Sequence, residues 1–442
     1  MAKKIVFIGA GSYVFTRNLA RDILTFPEFA DATLALVDIN PEGLEYARRA
    51  VQHIIDEGHY PAKLVCTTDR TEVLPGADGV VSMLMAQPLE VFRHDLEICG
   101  KYGVSINVGD TRNAAGIFRF LRTVPPMLDI LHDIKRYCPQ AIFLNYTNPM
   151  AMLCRAMQEA EPEVVTTGLC HSVQGGIAKF GQILGIPYRE IDYLCAGINH
   201  MAYYLSLRHN GRDLYPELRR RTLEDPAVYN EDIVRNEVFL AFGYYVTESS
   251  GHFSEYSPWF RKRRDLLEKY CYQGTGWNTG RENFTIEVRE ERQKNYYSDL
   301  EKFLSEPVQL ERGNEYASQI FNAVFGDGTP FHFNGNVRNF GLIDNLPKGA
   351  CVEVPVVADP SGLHAQPVGA IPDAVLPLMS LSSQIEEMAV KASFTGDPEL
   401  VYQAICYDPL TSAVLDLRET RKMVDELFAF SKPWLPQFPT LK

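Results

Sequence analysis

The chain has 442 residues, of which 46% are hydrophobic and 22% charged, and a formal net charge of −13. That length exceeds one ordinary core and points to two lobes. The acidic balance excludes nucleic acid and anionic membrane surfaces as partners, because both demand a basic face. Nine cysteines without a CxxC pair read as reduced thiols of a cytosolic protein, not as a disulfide framework or zinc ribbon. The opening "MAKKIVFIGAGS" has two lysines before an apolar run, but the run is short and lacks a small-residue cleavage site. No segment reaches membrane-span length.

In chain order, "KIVFI" at 4–8 predicts a buried strand and "SYVFTRNLARDILTF" a helix. "ATLALVD" predicts a second strand ending in Asp38. "PEGLEYARRAVQHIID" predicts a helix that opens with Pro41 at a first helical position. "AKLVCTTD", "GVVSML" and "AIFLNYT" read as further buried strands. "PLEVFRHDLEICGKYG" and "FRFLRTVPPMLDILHDIKRY" read as the helices between them. This βαβα alternation through about residue 170 predicts an α/β fold with a Rossmann-like, doubly wound parallel sheet. Past residue 200 the alternation fades, leaving aromatic–charged mixtures, a β-like section near 330–372 and a helical C-terminus. The expected division is a dinucleotide-binding lobe over 1–195. A packed α+β lobe over 196–442 would serve substrate, metal and oligomerisation, with the chain working as a homo-oligomer.

"GAGS" follows the first strand and opens a helix. Glycine at Gly9 and Gly11 permits a tight turn and close approach to a pyrophosphate, and the helix start at Ser12 offers unpaired N–H groups. Asp38 closes the next strand, where a carboxylate accepts from ribose hydroxyls and disfavours a 2′-phosphate, so NAD is expected over NADP. Val14 stands at the third glycine of the fingerprint, so a structural glycine turn with a surface aspartate is the competing interpretation.

"TTGLCHSVQGG" sets Cys170 beside His171. Thirty residues on, "AGINHMAYY" sets Asn199 beside His200. Neighbouring side chains in an extended chain point apart, so Cys170 and His171 are not expected to share an ion. Cys170 with His200 suits a divalent ion at an open, catalytic site, although spacing alone also fits a core cysteine and an unrelated histidine. "NVGDT" at 107–111 and "NYTNPM" at 145–150 add polar groups just past predicted strands, where open α/β sheets bind ligands.

Together, "FIGAGS", "NYTNPMAM", "GLCHSVQG", "AGINHMAYY", "YVTESSGHFSEYSPWF" and "GNVRNFGLIDNLPKGACVEV" resemble glycoside hydrolase family 4, and within it the bacterial α-galactosidase branch. The resemblance implies a hydrolase of α-galactosides such as melibiose that depends on NAD and Mn²⁺, outside two-carboxylate hydrolysis. It implies oxidation of the sugar at C3, loss of the C2 proton, elimination at C1, addition of water and return of the hydride. Other glycones (α-glucosides or uronides) and a plain NAD-dependent hydroxy-acid dehydrogenase are the alternatives.

By the same resemblance Cys170 and His200 are metal ligands, Asn148 binds sugar hydroxyls and Tyr256 matches the C2 base of the phosphoglucosidase branch, with a lobe-core aromatic as the competing interpretation. Asn199 is assigned to substrate. His171 stands where a related branch has its general acid, and either acts as one or binds a hydroxyl. Asp110 either holds substrate, helps the leaving group or caps the following helix. The chain departs from the family's GDTxGPGGI in reading "GDTRNAAGIF". Asn113, Ala114 and Ala115 restrict a turn that glycine would free. Arg112 either brings a charge to the sugar, opening the way to an acidic substrate, or faces solvent.

Overall fold

A computed structural model describes residues 2–273 and 279–439. Six strands, Lys4–Ile8 (β1), Thr33–Val37 (β2), Lys63–Thr67 (β3), Gly79–Ser82 (β4), Ile142–Asn145 (β5) and Thr166–Gly168 (β6), run parallel in the order β3-β2-β1-β4-β5-β6. This is the doubly wound arrangement, with its switch point between β1 and β4, where a crevice opens past the strand ends.

A separate small antiparallel sheet contains Asp192–Ala196 (β7), Tyr203–His209 (β8), Arg212–Asp213 (β9) and Tyr245–Val246 (β10). The β-like section of the sequence then returns to the first sheet. Phe331–Arg338 (β11), Cys351–Asp359 (β12) and Gly362–Ala365 (β13) add antiparallel strands at the β6 edge, making nine strands of mixed direction.

Alternation along the strands explains why both faces are buried, except at β3, expected as a buried strand but lying at the sheet edge with Lys63 and Val65 exposed. Ile5 and Phe7 project into one core with Leu34 and Leu36, under helices Tyr13–Leu24, Pro41–Glu57 and Tyr316–Phe325. Val6 and Ile8 project into the other, with Phe118 and Phe143, under helices Leu89–Lys101, Asn113–Tyr137 and Met150–Ala160. The C-terminal helices Leu376–Thr395, Pro398–Tyr407 and Leu417–Ser431 also pack on this second face. Among the described residues, no helix is long and apolar enough to cross a membrane.

The helix after "GDT" begins at Asn113, five residues earlier than its apolar periodicity suggests. Asn113 takes φ +60°, a conformation asparagine tolerates better than most residues. Its side-chain oxygen accepts from the N–H groups of Ala115 at 3.0 Å and Gly116 at 3.3 Å. The turn that lost its glycines is thus closed by a side chain, and the capping role considered for Asp110 falls to Asn113.

Candidate active site

At the glycine turn after β1, Gly9 has φ +85°, and a Cβ there would stand 2.8 Å from the Leu84 Cα. Gly11 donates its N–H to Asp38 Oδ2 at 2.7 Å, and Asp38 Oδ1 accepts from the Asn40 N–H at 2.8 Å. Asp38 therefore braces the turn itself. Val14 is 44% exposed, so no close packing demands a third glycine at that position. Ser12 makes no side-chain cap, so its hydroxyl does not occupy the amides of the first helical turn, the kind of group that can meet an anion.

Tyr296 was not foreseen from sequence. It comes from helix Phe284–Ser305, donates its hydroxyl to the Gly11 carbonyl and accepts from the Tyr13 N–H at 3.1 Å.

The second constellation lies past β6. Ligand atoms of Cys170, His200 and Glu248 all fall within 4.8 Å of one another. His200 and Glu248 are buried and Cys170 is partly buried. A thiol, an imidazole and a carboxylate at such separations can surround one divalent ion and leave positions open, as a catalytic site requires. Burial holds the His200 imidazole below its usual range and so keeps a nitrogen lone pair available. Burial, with Glu353 and Glu248 nearby, pushes the Cys170 thiol well up, so coordination must displace its proton. The donor set fits a first-row divalent ion.

His200 takes φ +61° and is gripped on both nitrogens. Nε2 lies 3.4 Å from Glu248 Oε2, while Nδ1 lies 3.2 Å from the Tyr256 hydroxyl and 3.2 Å from Thr111 Oγ1. Next to it, Asp110, His200 and His252 form a second close trio. His252 is 3.7 Å from Asp110 Oδ1 and 3.3 Å from Glu248 Oε1. Burial opposes charge on His252, but Glu248 and Asp110 outweigh it and raise the group to about 9. Burial likewise works against the Asp110 charge, yet His252 holds that carboxyl well below its usual range. Asp110 is therefore an ionised acceptor at neutral pH.

Glu255, ending helix Ser250–Glu255, fixes the loop that carries Asp110. It accepts from the N–H groups of Asn107, Val108 and Gly109 at 2.9, 3.0 and 2.8 Å.

Asn199 donates to Glu353 Oε2 on β12 at 3.2 Å. The side-chain oxygens of Asn199 and Asn148, and Glu353 Oε1, are buried without a hydrogen-bond partner among the described residues. Unpaired buried acceptors are costly and call for a donor such as a sugar hydroxyl. His171 turns away from Cys170, pairs with Glu315 at 2.8 Å and stacks on Tyr146 with ring centroids 5.7 Å apart.

Arg112 does not face solvent. Its side chain is 6% exposed, pairs with Glu386 at 2.8 Å and donates to the Asn199 carbonyl at 2.6 Å. Glu248 and His252 were also not singled out from sequence, although they stand four apart within the quoted "YVTESSGHFSEY", the spacing of one helix face.

A dinucleotide-type turn past β1, with a thiol past β6 of the same doubly wound sheet meeting an imidazole and a carboxylate from beside the smaller sheet, defines a Rossmann-type protein with a candidate ligand crevice. The sequence matches the family 4 glycosyl hydrolase over residues 4–186 and the family 4 glycosyl hydrolase C-terminal domain over residues 195–411. It is 37% identical to an α-galactosidase of Rhizobium meliloti (strain 1021), covering 98% of this chain and 89% of that protein. It is also 37% identical to an α-galactosidase of Bacillus subtilis (strain 168), covering 99% and 100%. Its fold superposes with TM-score 0.83 and 20% identity on a 6-phospho-α-glucosidase from gut microorganisms solved in complex with NAD and Mn²⁺, covering 99% of each chain. The chain belongs to glycosyl hydrolase family 4, and is a glycoside hydrolase.

Proposed function

We propose that this enzyme is an α-galactosidase that cleaves unphosphorylated α-galactosides such as melibiose with the help of NAD and a divalent ion, Mn²⁺. The observation that carries the reading is the Cys170–His200–Glu248 trio set beside the Tyr256 hydroxyl. The galactoside preference follows the two α-galactosidase relatives, and the cofactors follow the bound relative. Cys170, His200 and Glu248 would hold the ion. Gly9, Gly11 and Ser12 would cradle the pyrophosphate, with Asp38 at the ribose. When bound, these groups supply hydride exchange at C3 and polarisation of the sugar oxygens beside it.

The chain's own residues supply the rest. Asn148 and Asn199 offer unpaired acceptors to sugar hydroxyls. Tyr256 would take the C2 proton as its phenolate, which requires the bound ion and the His200 Nδ1–H to acidify it. Burial, with Asp110, Glu255 and Glu248, pushes its phenol well up, while Arg112 acts in the opposite direction. His171 has its charged form favoured by Glu315 against the effect of burial, as a general acid at the leaving oxygen requires. Asp110 serves as an acceptor for substrate. The enzyme is proposed to work in the cytosol as a homo-oligomer, with residues 196–442 contributing substrate, metal and subunit contacts.

The deciding experiment is a panel of nitrophenyl glycosides with NAD, Mn²⁺ and a thiol reductant. The α-galactoside should turn over fastest. Preference for the α-glucoside or α-galacturonide would replace the substrate assignment, and net NADH accumulation would replace hydrolysis by a dehydrogenase reaction.

A further inference from the structure

Three consecutive residues of the departing loop grip three parts of the site. Asp110 faces His252, Thr111 Oγ1 lies 3.2 Å from His200 Nδ1, and Arg112 donates to the Asn199 carbonyl at 2.6 Å. Arg112 also reaches Glu386 on helix Leu376–Thr395 at 2.8 Å, and its guanidinium lies 5.5 Å from the centroid of the Tyr256 ring. The carbonyl it binds belongs to the residue before His200, whose φ of +61° lies in the left-handed region that is unfavourable for a residue carrying a Cβ. Such a conformation costs ~1–3 kcal/mol and persists only where its surroundings over-determine it.

We propose that Arg112 is a positioning residue: it locks the Asn199–His200 turn against helix Leu376–Thr395 and thereby aims the His200 ring at the ion and at Tyr256. This rests on the reading of Cys170, His200 and Glu248 as the ion site. Arg112 is buried and its bonds point into the protein, so its charge is spent on Glu386 and Asn199 rather than on a sugar. A cavity of about 20 Å³ beside Arg112, Tyr256 and Glu386 has room for about one water. A planar fork can hold a carbonyl and a carboxylate at once, which one ammonium cannot do with the same geometry.

The test compares Mn²⁺ affinity, melting temperature and kcat for the parent and five variants of the full chain. Arg112→Met should weaken Mn²⁺ binding ~10–100-fold, the range typical for loss of a group that orients a metal ligand. Arg112→Lys should recover part of that loss. Glu386→Gln keeps the bond to Asn199 and should bind Mn²⁺ within about threefold of the parent, well inside the tenfold that 1.4 kcal/mol represents.

The double variant Arg112→Met with Glu386→Met removes the buried carboxylate that Arg112→Met strands. It should regain melting temperature, because apolar replacement of a buried pair is often neutral. It should nevertheless stay weak in Mn²⁺ binding and kcat. Recovery of Mn²⁺ affinity and kcat along with melting temperature would overturn the proposal, leaving the pair as a structural tie only. Cys170→Ala should lose Mn²⁺ binding; if it binds like the parent, the ion-site reading itself has failed and the Arg112 assignment falls with it.

Discussion

His200 Nδ1 stands 3.2 Å from the Tyr256 hydroxyl, and the opposite nitrogen of the same ring stands 3.4 Å from Glu248. One imidazole thus joins the cluster proposed to hold the ion to the residue proposed for proton removal. A histidine whose Nε2 binds a cation keeps its proton on Nδ1, where it can donate to the phenol oxygen.

Glu248 is accordingly expected to matter as much as Cys170. Glu248→Gln keeps shape but removes the charge at the ion, and should weaken Mn²⁺ binding by about 100-fold, the upper end of what loss of an orienting group costs. NAD affinity should be unchanged, because the glycine turn is a separate element after β1. Titration calorimetry with Mn²⁺ and NAD reads both. Unchanged Mn²⁺ affinity would remove Glu248 from the ion site.

The cofactor turn offers an independent check. In Gly11→Ala the added methyl would meet Asp38 Oδ2 at 2.7 Å, displacing the carboxylate that holds the turn. Loss of that charge-assisted bond corresponds to about tenfold or more in NAD affinity. Mn²⁺ affinity serves as the control. An NAD dissociation constant equal to the parent's would contradict the brace.

Proton removal at C2 leaves an isotopic trace. Hydrolysis in heavy water should place deuterium at C2 of the released sugar, detected by NMR, with no net NADH. Tyr256→Phe should suppress both turnover and label together. A product free of label would rule out the elimination route for this enzyme.

Glu353 makes stability depend on pH. Burial pushes its carboxyl from an ordinary 4.5 up to about 7. Between those values the unfolded chain releases a proton that the folded chain keeps. Stability from this group therefore falls as pH rises from about 4.5 to about 7, and levels off above that. The span corresponds to ~3 kcal/mol at 1.36 kcal/mol per unit. Glu353→Gln in metal-free protein should lose this slope, so its advantage over the parent should grow across that interval in urea unfolding. Parallel curves for the two proteins would show that Glu353 ionises normally.

Much of the architecture was written in local pattern. Apolar runs of strand length alternating with amphipathic segments specify β1 to β5 and their parallel winding, because a strand covered on both faces reads as a continuous apolar run; the three-residue β6 carries no such run. The glycine turn, Asp38 and the polar residues just past β5 and β6 follow from that winding, since strand ends in such a sheet share one edge. Family motifs in the sequence also pointed to Cys170 and His200.

What the sequence by itself determined, then, was the parallel part of the sheet and the family. Tertiary structure alone decided that β11 to β13 rejoin the first sheet, so that Glu353 on β12 reaches Asn199. It also brought Glu248 and His252 to His200, and buried Arg112 on Glu386 instead of leaving it in water. The reason is physical: periodicity records which face of an element is apolar. A buried charge is decided by the partner it meets across hundreds of residues, and no local pattern encodes that meeting.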